Sequence, residues 1–396
     1  MTHRERLLAA LRHQEPDRIP IDLGGCGTTG IVLEAHRNLC HHLGIQLEAP
    51  PPFLARRFDT VVPDERLMVR LEVDARPITL SAPDRQPEHA PSDNVLIDEW
   101  GVRWERREGA HYIAVRGPLQ DLSEPDQMSL KHLTVPDASD PGRYRRFRER
   151  AQALHEGTDY AVIFSAGPGP VHVGQWVRGY AEWLQDLHLN RSFILGLAER
   201  ATDFWIATTR RALQEAGEFI DVVMFGDDLG TQASSVLRPQ MYRELILPFH
   251  RQMVETVRRF GKPVLHHSCG SIYALIPDLI EIGVDALNPV QVSARNMEPE
   301  RLKREFGRDI TFWGAIDTQH VLPQGGPEEV RSEVRRRIDE LGHGGGYVLS
   351  AVHNIQPDVP PENIVTMFEA ALAYSGTRSV AEVRDGQPRP SAQKSR

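Results

Sequence analysis

The chain contains little cysteine, no excess of basic residues and no long apolar segment. Its 3 cysteines, Cys26, Cys40 and Cys269, are too few and odd in number for a disulfide scaffold, which favours a reducing compartment. The formal net charge of -9 argues against a nucleic-acid-binding surface. Apolar runs stay well short of membrane-spanning length, and the charged N-terminal residues show no apolar signal core. We therefore expect a cytoplasmic protein that binds neither nucleic acid nor membranes.

The composition is that of an ordinary globular protein, with 40% hydrophobic and 26% charged residues in a chain of 396. After residue 143, short apolar segments alternate with helical patterns. The predicted strands cover residues 160–166, 220–226, 263–267, 284–289, 309–313 and 346–351, with an early strand at 20–23. The predicted helices cover residues 3–13, 30–43, 175–188, 191–216, 239–259, 271–282, 298–305, 327–341 and 361–375.

Apolar strands separated by helices are typical of a parallel sheet that is buried on both faces. The pattern predicts an α/β fold, a (β/α)8 TIM barrel in a single domain over residues 1–380, with one strand poorly marked. Residues 50–140 are rich in proline and short strands, with a hairpin pattern at 94–104 and 111–115, and are expected to form an N-terminal insertion. The polar residues 381–396 are expected to be a disordered tail. A doubly wound open sheet is the alternative, although no G-x-G-x-x-G motif follows a strand.

Residues that suit metal binding follow two of the predicted strands. His267 and Cys269 end one strand at positions i and i+2, which project to the same face and can converge. His353 follows another strand, and the carboxyl ends of parallel strands share one rim of a barrel. Zinc takes a thiolate together with imidazoles, and three protein ligands leave a coordination position open for a substrate. We predict a zinc site formed by these three side chains.

Further polar residues follow other strands on the same rim. Asp227 and Asp228 end strand 220–226, where adjacent acids suit a fourth metal ligand, a partner of a ligating histidine or a base. A helix N-cap is the alternative for this pair, and we predict the catalytic role. Asn288, Gln291 and Asp317 follow the next strands and are expected to line the pocket for substrate and cofactor.

The metal-ligand motifs resemble those of the uroporphyrinogen decarboxylase superfamily, a family of eight-stranded barrels. The resemblance covers most of the chain, from residues 15–20 to residues 360–364. It is stronger to the zinc-dependent branch that moves methyl groups to or from corrinoids, such as the methylcobamide:coenzyme M methyltransferases. That branch has a His-x-Cys pair and a downstream Cys in a Gly-Tyr-x-Leu…Cys…Pro-Pro-Glu-Asn segment. His267 and Cys269 occupy the pair, whereas His353 stands where the second Cys is expected.

This resemblance implies a zinc-dependent methyltransferase that moves a methyl group between a small molecule and a corrinoid. It also implies a homodimer. It implies a separate corrinoid protein too, because the nearest match to the corrinoid-binding pattern Asp-x-His-x-x-Gly, at residues 186–191, lacks the Gly. An imidazole in place of a thiolate at His353 removes one negative charge and makes the bound metal a stronger Lewis acid. Coenzyme M then fits less well as the substrate than a different methyl acceptor, or than a methoxylated or N-methylated methyl donor.

Two other functions stay open at this point. One is a metal-independent decarboxylase or lyase that acts on a carboxylated substrate. The family's decarboxylases carry an Arg-Gln-Ala-Gly-Arg segment, and the corresponding residues 20–27 of this chain contain no arginine. The other is a non-catalytic metal- or corrinoid-binding protein with vestigial ligands.

Overall fold

The computed structural model describes residues 1–107 and 111–385. Most of the tail predicted at 381–396 lies outside these residues. The strands are β1 (Ile31–Val32), β2 (Phe53–Ala55), β3 (Thr60–Val61), β4 (Ala75–Ile78), β5 (His89–Ser92), β6 (Val95–Ile97), β7 (Arg103–Arg106), β8 (Tyr112–Arg116), β9 (Ala161–Pro168), β10 (Val222–Gly226), β11 (Val264–His267), β12 (Ala286–Val290), β13 (Thr311–Ile316) and β14 (Tyr347–Ala351).

The α-helices surround these strands and alternate with them in the second half of the chain. They are α1 (His3–Leu11), α2 (Leu33–His42), α3 (Glu65–Arg70), α4 (Phe147–Gly157), α5 (Pro170–Arg178), α6 (Tyr180–Leu189), α7 (Arg191–Ala216), α8 (Pro239–Leu245), α9 (Leu247–Arg258), α10 (Ile276–Ile282), α11 (Pro299–Phe306), α12 (Val321–Gln324), α13 (Pro327–Leu341) and α14 (Pro361–Asp385). The predicted helix 175–188 is interrupted at Gly179, whose φ of 91° no other residue type adopts easily.

A parallel sheet of 7 strands, in the order β14-β13-β12-β11-β10-β9-β4, forms the barrel wall. A short segment around Ile21 lies between its two edge strands. Ile21 forms a parallel bridge to Leu349 in β14, and its carbonyl accepts a hydrogen bond from the amide of Asp74, just before β4. The predicted TIM-barrel fold is confirmed, and the predicted early strand at 20–23 is reduced to this single bridge.

The predicted insertion at 50–140 needs correction, because it contains one strand of the barrel. Strand β4 pairs in parallel with β9 over four residue pairs, from Ala75–Ala161 to Ile78–Phe164. Its sequence, Ala-Arg-Pro-Ile, lacks the apolar run by which the other strands were recognised. The predicted hairpin is confirmed as part of an antiparallel sheet of 4 strands, β5-β6-β7-β8, which we call the cap sheet.

Alternation along each strand separates a barrel interior from the outer, helix-covered face. Met224 and Leu265 belong to the interior cluster, which also contains Leu7 and Leu11 of α1. The neighbouring Val223 and Phe225 belong to the larger outer cluster beneath the helices. This alternation decides which polar residues at the strand ends point into the barrel mouth.

Over the described part of the chain, we find no helix both long enough and apolar enough to cross a membrane.

Candidate metal centre

Two of the predicted ligands come from the end of β11. Leu265 faces the barrel interior, so His267 continues on that face, while His266 packs outward against Phe225 at a ring distance of 4.7 Å. Beyond the strand, Cys269 turns back toward the same point. Its Sγ lies 3.5 Å from Nε2 of His267. The i and i+2 relation predicted from the sequence therefore places a sulfur and a nitrogen side by side.

The third predicted ligand, His353, reaches the same place from the end of β14. Its ring lies 5.5 Å from the His267 ring at an interplanar angle of 64°. The ligand atoms of His267, Cys269 and His353 all lie within 4.8 Å of one another. The fold thus brings together three side chains that are separated by up to 86 positions in the sequence, since 353 − 267 = 86.

Asn288 holds His267 in the orientation that a metal ligand needs. The Nδ1–H of His267 donates to Oδ1 of Asn288 at 2.6 Å, which leaves Nε2 as the free lone pair beside the sulfur. The hydroxyl of Thr28 donates to the same oxygen at 3.2 Å. Ligating histidines characteristically use their second nitrogen in this way. Asn288, predicted as a pocket residue, is therefore a partner of the ligand, and Thr28 was not anticipated from the sequence.

The structure separates the two adjacent acids that end β10. Asp228 points into the barrel mouth, where its Oδ1 accepts from the amide of Cys269 at 2.9 Å and lies 3.6 Å from Nε2 of His267. Asp227 points outward and is fully buried. Its carboxylate accepts from the amides of Val171 and His172 at the start of α5 and lies 2.8 Å from Nε2 of His250. Asp227 therefore supports the start of α5, and its Oδ1 lies 3.6 Å from Nδ1 of His172.

His172 is a member of the centre that the sequence did not reveal. Its Nε2 lies 3.5 Å from Oδ2 of Asp228, and its ring stacks on Trp176 at 5.0 Å with an interplanar angle of 9°. Burial alone would lower the pKa of His172, but the Asp228 carboxylate outweighs it and raises that pKa to about 9. The position of His172 just after strand β9, on the shared rim, was the signal that could have identified it.

Gln291 and Asp317 support loops near the centre. Gln291 accepts from the amide of Gly270 at 2.7 Å and so fixes the turn that follows Cys269. Asp317 accepts from the amides of Gln319 and His320 within its own loop. The second polar atom of each side chain also has a partner: Nε2 of Gln291 donates to Gln232 at 3.1 Å, and Oδ2 of Asp317 lies 3.1 Å from Nδ1 of His320.

Burial disfavours the charged form of both predicted ligand histidines. Burial lowers the pKa of His267, and burial together with the His267 ring lowers the pKa of His353 to about 4. Burial and the Asp228 carboxylate raise the pKa of the Cys269 thiol well above its usual range. Cation binding must therefore displace a proton from this sulfur.

The donor set fits zinc. In a tetrahedral zinc site, Zn–S and Zn–N bonds of about 2.3 and 2.05 Å place the sulfur and nitrogen about 3.6 Å apart. The 3.5 Å between Sγ of Cys269 and Nε2 of His267 matches that separation. One thiolate and two neutral imidazoles give a net charge of −1, which a divalent cation would offset.

Fold and site together define an α/β-barrel protein with a candidate metal centre of two histidines and a cysteine at the carboxyl rim of its strands. The chain belongs to the uroporphyrinogen decarboxylase (URO-D) family, whose sequence profile matches residues 115–374.

Two characterised relatives carry different names. A methylated-thiol–coenzyme M methyltransferase of Methanosarcina mazei is 24% identical over 189 residues, 48% of this chain and 46% of that protein. A uroporphyrinogen decarboxylase of Syntrophotalea carbinolica is 27% identical over 174 residues, 44% of this chain and 46% of that protein. The matched part thus spans about half the length of these relatives. A solved structure described as a methyltransferase from Methanosarcina mazei superposes with a TM-score of 0.68 at 17% identity, over 94% of this chain and 99% of that one. This likeness supports the fold.

Proposed function

We propose that the protein is a zinc-dependent methyltransferase that moves a methyl group between a small molecule and a corrinoid cofactor. The observation that carries the proposal is the convergence of His267, Cys269 and His353, whose ligand atoms all lie within 4.8 Å. A decarboxylase needs no such donor set. The similarity to a methylated-thiol–coenzyme M methyltransferase supports the same choice.

In this proposal the three side chains hold the metal and leave one position for the substrate. Zinc, when bound, supplies a Lewis acid that acidifies a thiol or polarises an ether oxygen. Asn288 fixes the tautomer of His267, and Asp228 orients the Cys269 loop through its backbone amide. Nε2 of His172 lies 3.4 Å from the amide nitrogen of Asp228 and 3.5 Å from Oδ2 of its carboxylate, so this pair can supply or accept a proton at the edge of the substrate position.

The corrinoid is proposed to arrive on a separate protein. The nearest sequence match to a corrinoid-binding motif begins at Asp186, which lies in helix α6. Its carboxylate is buried and accepts from the guanidinium of Arg178 at 2.6 Å and from Asn190. Asp186 is therefore engaged in packing α6 against α5, and this segment offers no site for a corrinoid.

The test is elemental analysis of the purified protein, beside Cys269→Ala and His353→Ala. Asn363→Ala is the matched control, since Asn363 is buried and its side-chain amide donates to the carbonyls of Leu322 and Gly325. We expect about one zinc per chain in the wild type and control, and little in the two ligand variants. Each variant is then assayed for methyl transfer to a reduced corrinoid protein. Zinc that persists in both ligand variants would refute the assigned centre and leave the metal-independent lyase as the alternative. Methyl transfer by metal-stripped protein would refute the zinc dependence.

A further inference from the structure

The loop of residues 24–30, which we call the glycine loop, carries a cysteine to which the proposed function gives no role. Cys26 is fully buried, and its Sγ lies 3.3 Å from the hydroxyl oxygen of Thr28 and 3.5 Å from that of Thr29. Burial raises the pKa of the Cys26 thiol, so the sulfur keeps its proton at neutral pH. The thiol therefore has a hydrogen to donate to one of these two hydroxyl oxygens.

The contacts of the two threonines decide which oxygen receives that hydrogen. In the 3.2 Å contact between Thr28 and Oδ1 of Asn288, the amide oxygen has no hydrogen, so the single hydroxyl hydrogen of Thr28 is used there. The Thr28 oxygen can then only accept from Cys26. The Thr29 oxygen is farther away and already accepts from the backbone amide of Cys26 at 3.3 Å. The hydrogen bonds therefore run in one direction, from the thiol through Thr28 to Asn288.

This direction determines which end of the Asn288 amide faces His267. Nδ2 of Asn288 has no hydrogen-bond partner among the described residues, so no contact on that side holds the amide in place. A half-turn of the amide would exchange Oδ1 and Nδ2 and would turn an N–H group toward Nδ1 of His267. The proton of His267 would then have to lie on Nε2, beside the Cys269 sulfur. The Thr28 hydroxyl opposes the half-turn, because its hydrogen needs an acceptor.

We propose that Cys26 and Thr28 are positioning residues that fix the Asn288 amide and, through it, keep the proton of His267 on Nδ1. The inference rests on the proposed function, because this tautomer leaves Nε2 free for zinc. Cys26 does not belong to the group of side chains whose ligand atoms lie within 4.8 Å of one another, so it acts through Thr28 and not as a ligand.

Proton–nitrogen correlation NMR of the metal-free protein measures the tautomer directly, with the His267 signals assigned by their absence in His267→Gln. We expect the proton on Nδ1 in the wild type. Thr28→Val keeps the branched shape without the hydroxyl, and it should move His267 toward the tautomer with the proton on Nε2, as should Cys26→Ala. Thr28→Ser and Cys26→Ser keep a donor at each position and should resemble the wild type.

Cys40→Ala is the matched control for loss of a buried thiol. Cys40 is buried on α2, where its Sγ lies 3.6 Å from Nε2 of His36, and this substitution should leave the His267 tautomer unchanged. Thermal unfolding of each variant checks that it folds.

Zinc affinity, measured by competition with a chelator, gives a second readout. Thr28→Val should weaken zinc binding about threefold to tenfold, less than the loss of a direct partner of a ligating histidine. Cys26→Ala removes one weak hydrogen bond and should weaken zinc binding about twofold to fivefold. Because Cys26 acts through Thr28, the double variant should bind zinc no more weakly than Thr28→Val alone.

An unchanged His267 tautomer in both Thr28→Val and Cys26→Ala would overturn the inference. Additive losses of zinc affinity in the double variant would also overturn it, since the two residues would then act independently. The NMR measurement needs no metal and so separates this inference from the proposed function. If the wild type binds no zinc while the tautomer follows the variants as expected, the positioning role stands and the zinc-dependent function fails.

Discussion

Replacing Asn288 by alanine should weaken zinc binding without unfolding the barrel. Asn288 is fully buried, and its Oδ1 lies 2.6 Å from Nδ1 of His267. Without this acceptor, the Nδ1–H of His267 is left buried and unpaired, or the proton moves to Nε2. Because Nε2 is the nitrogen beside the Cys269 sulfur, the second tautomer occupies the lone pair that the metal needs.

The expected loss of zinc affinity follows from the role that hydrogen-bond partners of ligating histidines have in metal sites. Loss of an outer partner of a ligating histidine costs about 10- to 100-fold in metal affinity. That corresponds to about 1.4–2.8 kcal/mol. Asn288→Asp keeps an acceptor at the same place and adds negative charge, so it should retain zinc at close to the wild-type affinity.

Competition against a chromophoric zinc chelator measures the affinities of the wild type, Asn288→Ala and Asn288→Asp. Asn363→Ala again serves as the control for loss of a buried asparagine away from the centre. A wild-type affinity in Asn288→Ala, within about twofold, would show that the hydrogen bond to His267 does not set the ligand's tautomer. Equal losses in the alanine and aspartate variants would refute the reasoning as well.

Three further predictions concern stability. Asp74→Asn should lower the free energy of unfolding by about 3–5 kcal/mol, because it removes the negative charge that pairs with the guanidinium groups of Arg6 and Arg18. Burial would raise the pKa of Asp74, but the hydrogen bond to His3 and the Arg18 guanidinium outweigh it and hold that pKa below 3.8. The contribution of Asp74 to stability is therefore present above pH 3.8 and lost as pH falls through the folded-state pKa, which urea unfolding at neutral and acidic pH measures. The pKa of His172 rises from 6.5 to about 9 beside Asp228, so its contribution, about 3 kcal/mol at most, is fully present below pH 6.5 and lost as pH rises through 9. Urea unfolding of chelator-treated wild type and of His172→Gln is measured across that pH window. The two free energies of unfolding should converge at high pH, and a constant difference between them would contradict the assignment. Gly117→Ala places a Cβ 2.2 Å from the backbone carbonyl oxygen of Val177, at the contact between the cap sheet and α5. The substitution should lower the free energy of unfolding by about 1–3 kcal/mol, measured by thermal unfolding. Gly157→Ala is the control, because a Cβ there has no neighbour within 4 Å.

The paired acids at the end of β10 show how far sequence alone carries a site assignment. Alternation along the strand is visible in the sequence, and it puts Asp228 on the face of Met224 and Asp227 on the face of Phe225. What the sequence does not show is that the outer face at this height meets the start of α5 and His250. The role of Asp227 in supporting that helix thus depends on contacts between distant segments.

The barrel strands also differ in how well the sequence alone reveals them. Six of its strands can be recognised in the sequence as apolar runs, because both faces of a parallel sheet are buried. Strand β4 does not, since Arg76 is accommodated by an ion pair with Glu65 and by the ring of Tyr160 at 3.5 Å. A polar side chain with a partner can occupy a buried strand, and such partners are not visible in a linear pattern.

The sequence by itself determined the alternation of strands and helices, the pairing of His267 with Cys269, and the placement of His353 on the same rim. Each of these follows from local periodicity and from the geometry that parallel strands share. Only the tertiary structure decided that Asn288 and Thr28 orient His267, the first predicted ligand, and that His172 lies beside Asp228. These contacts join segments far apart in the chain, and their distances are set by how the barrel, the helices and the cap sheet pack together.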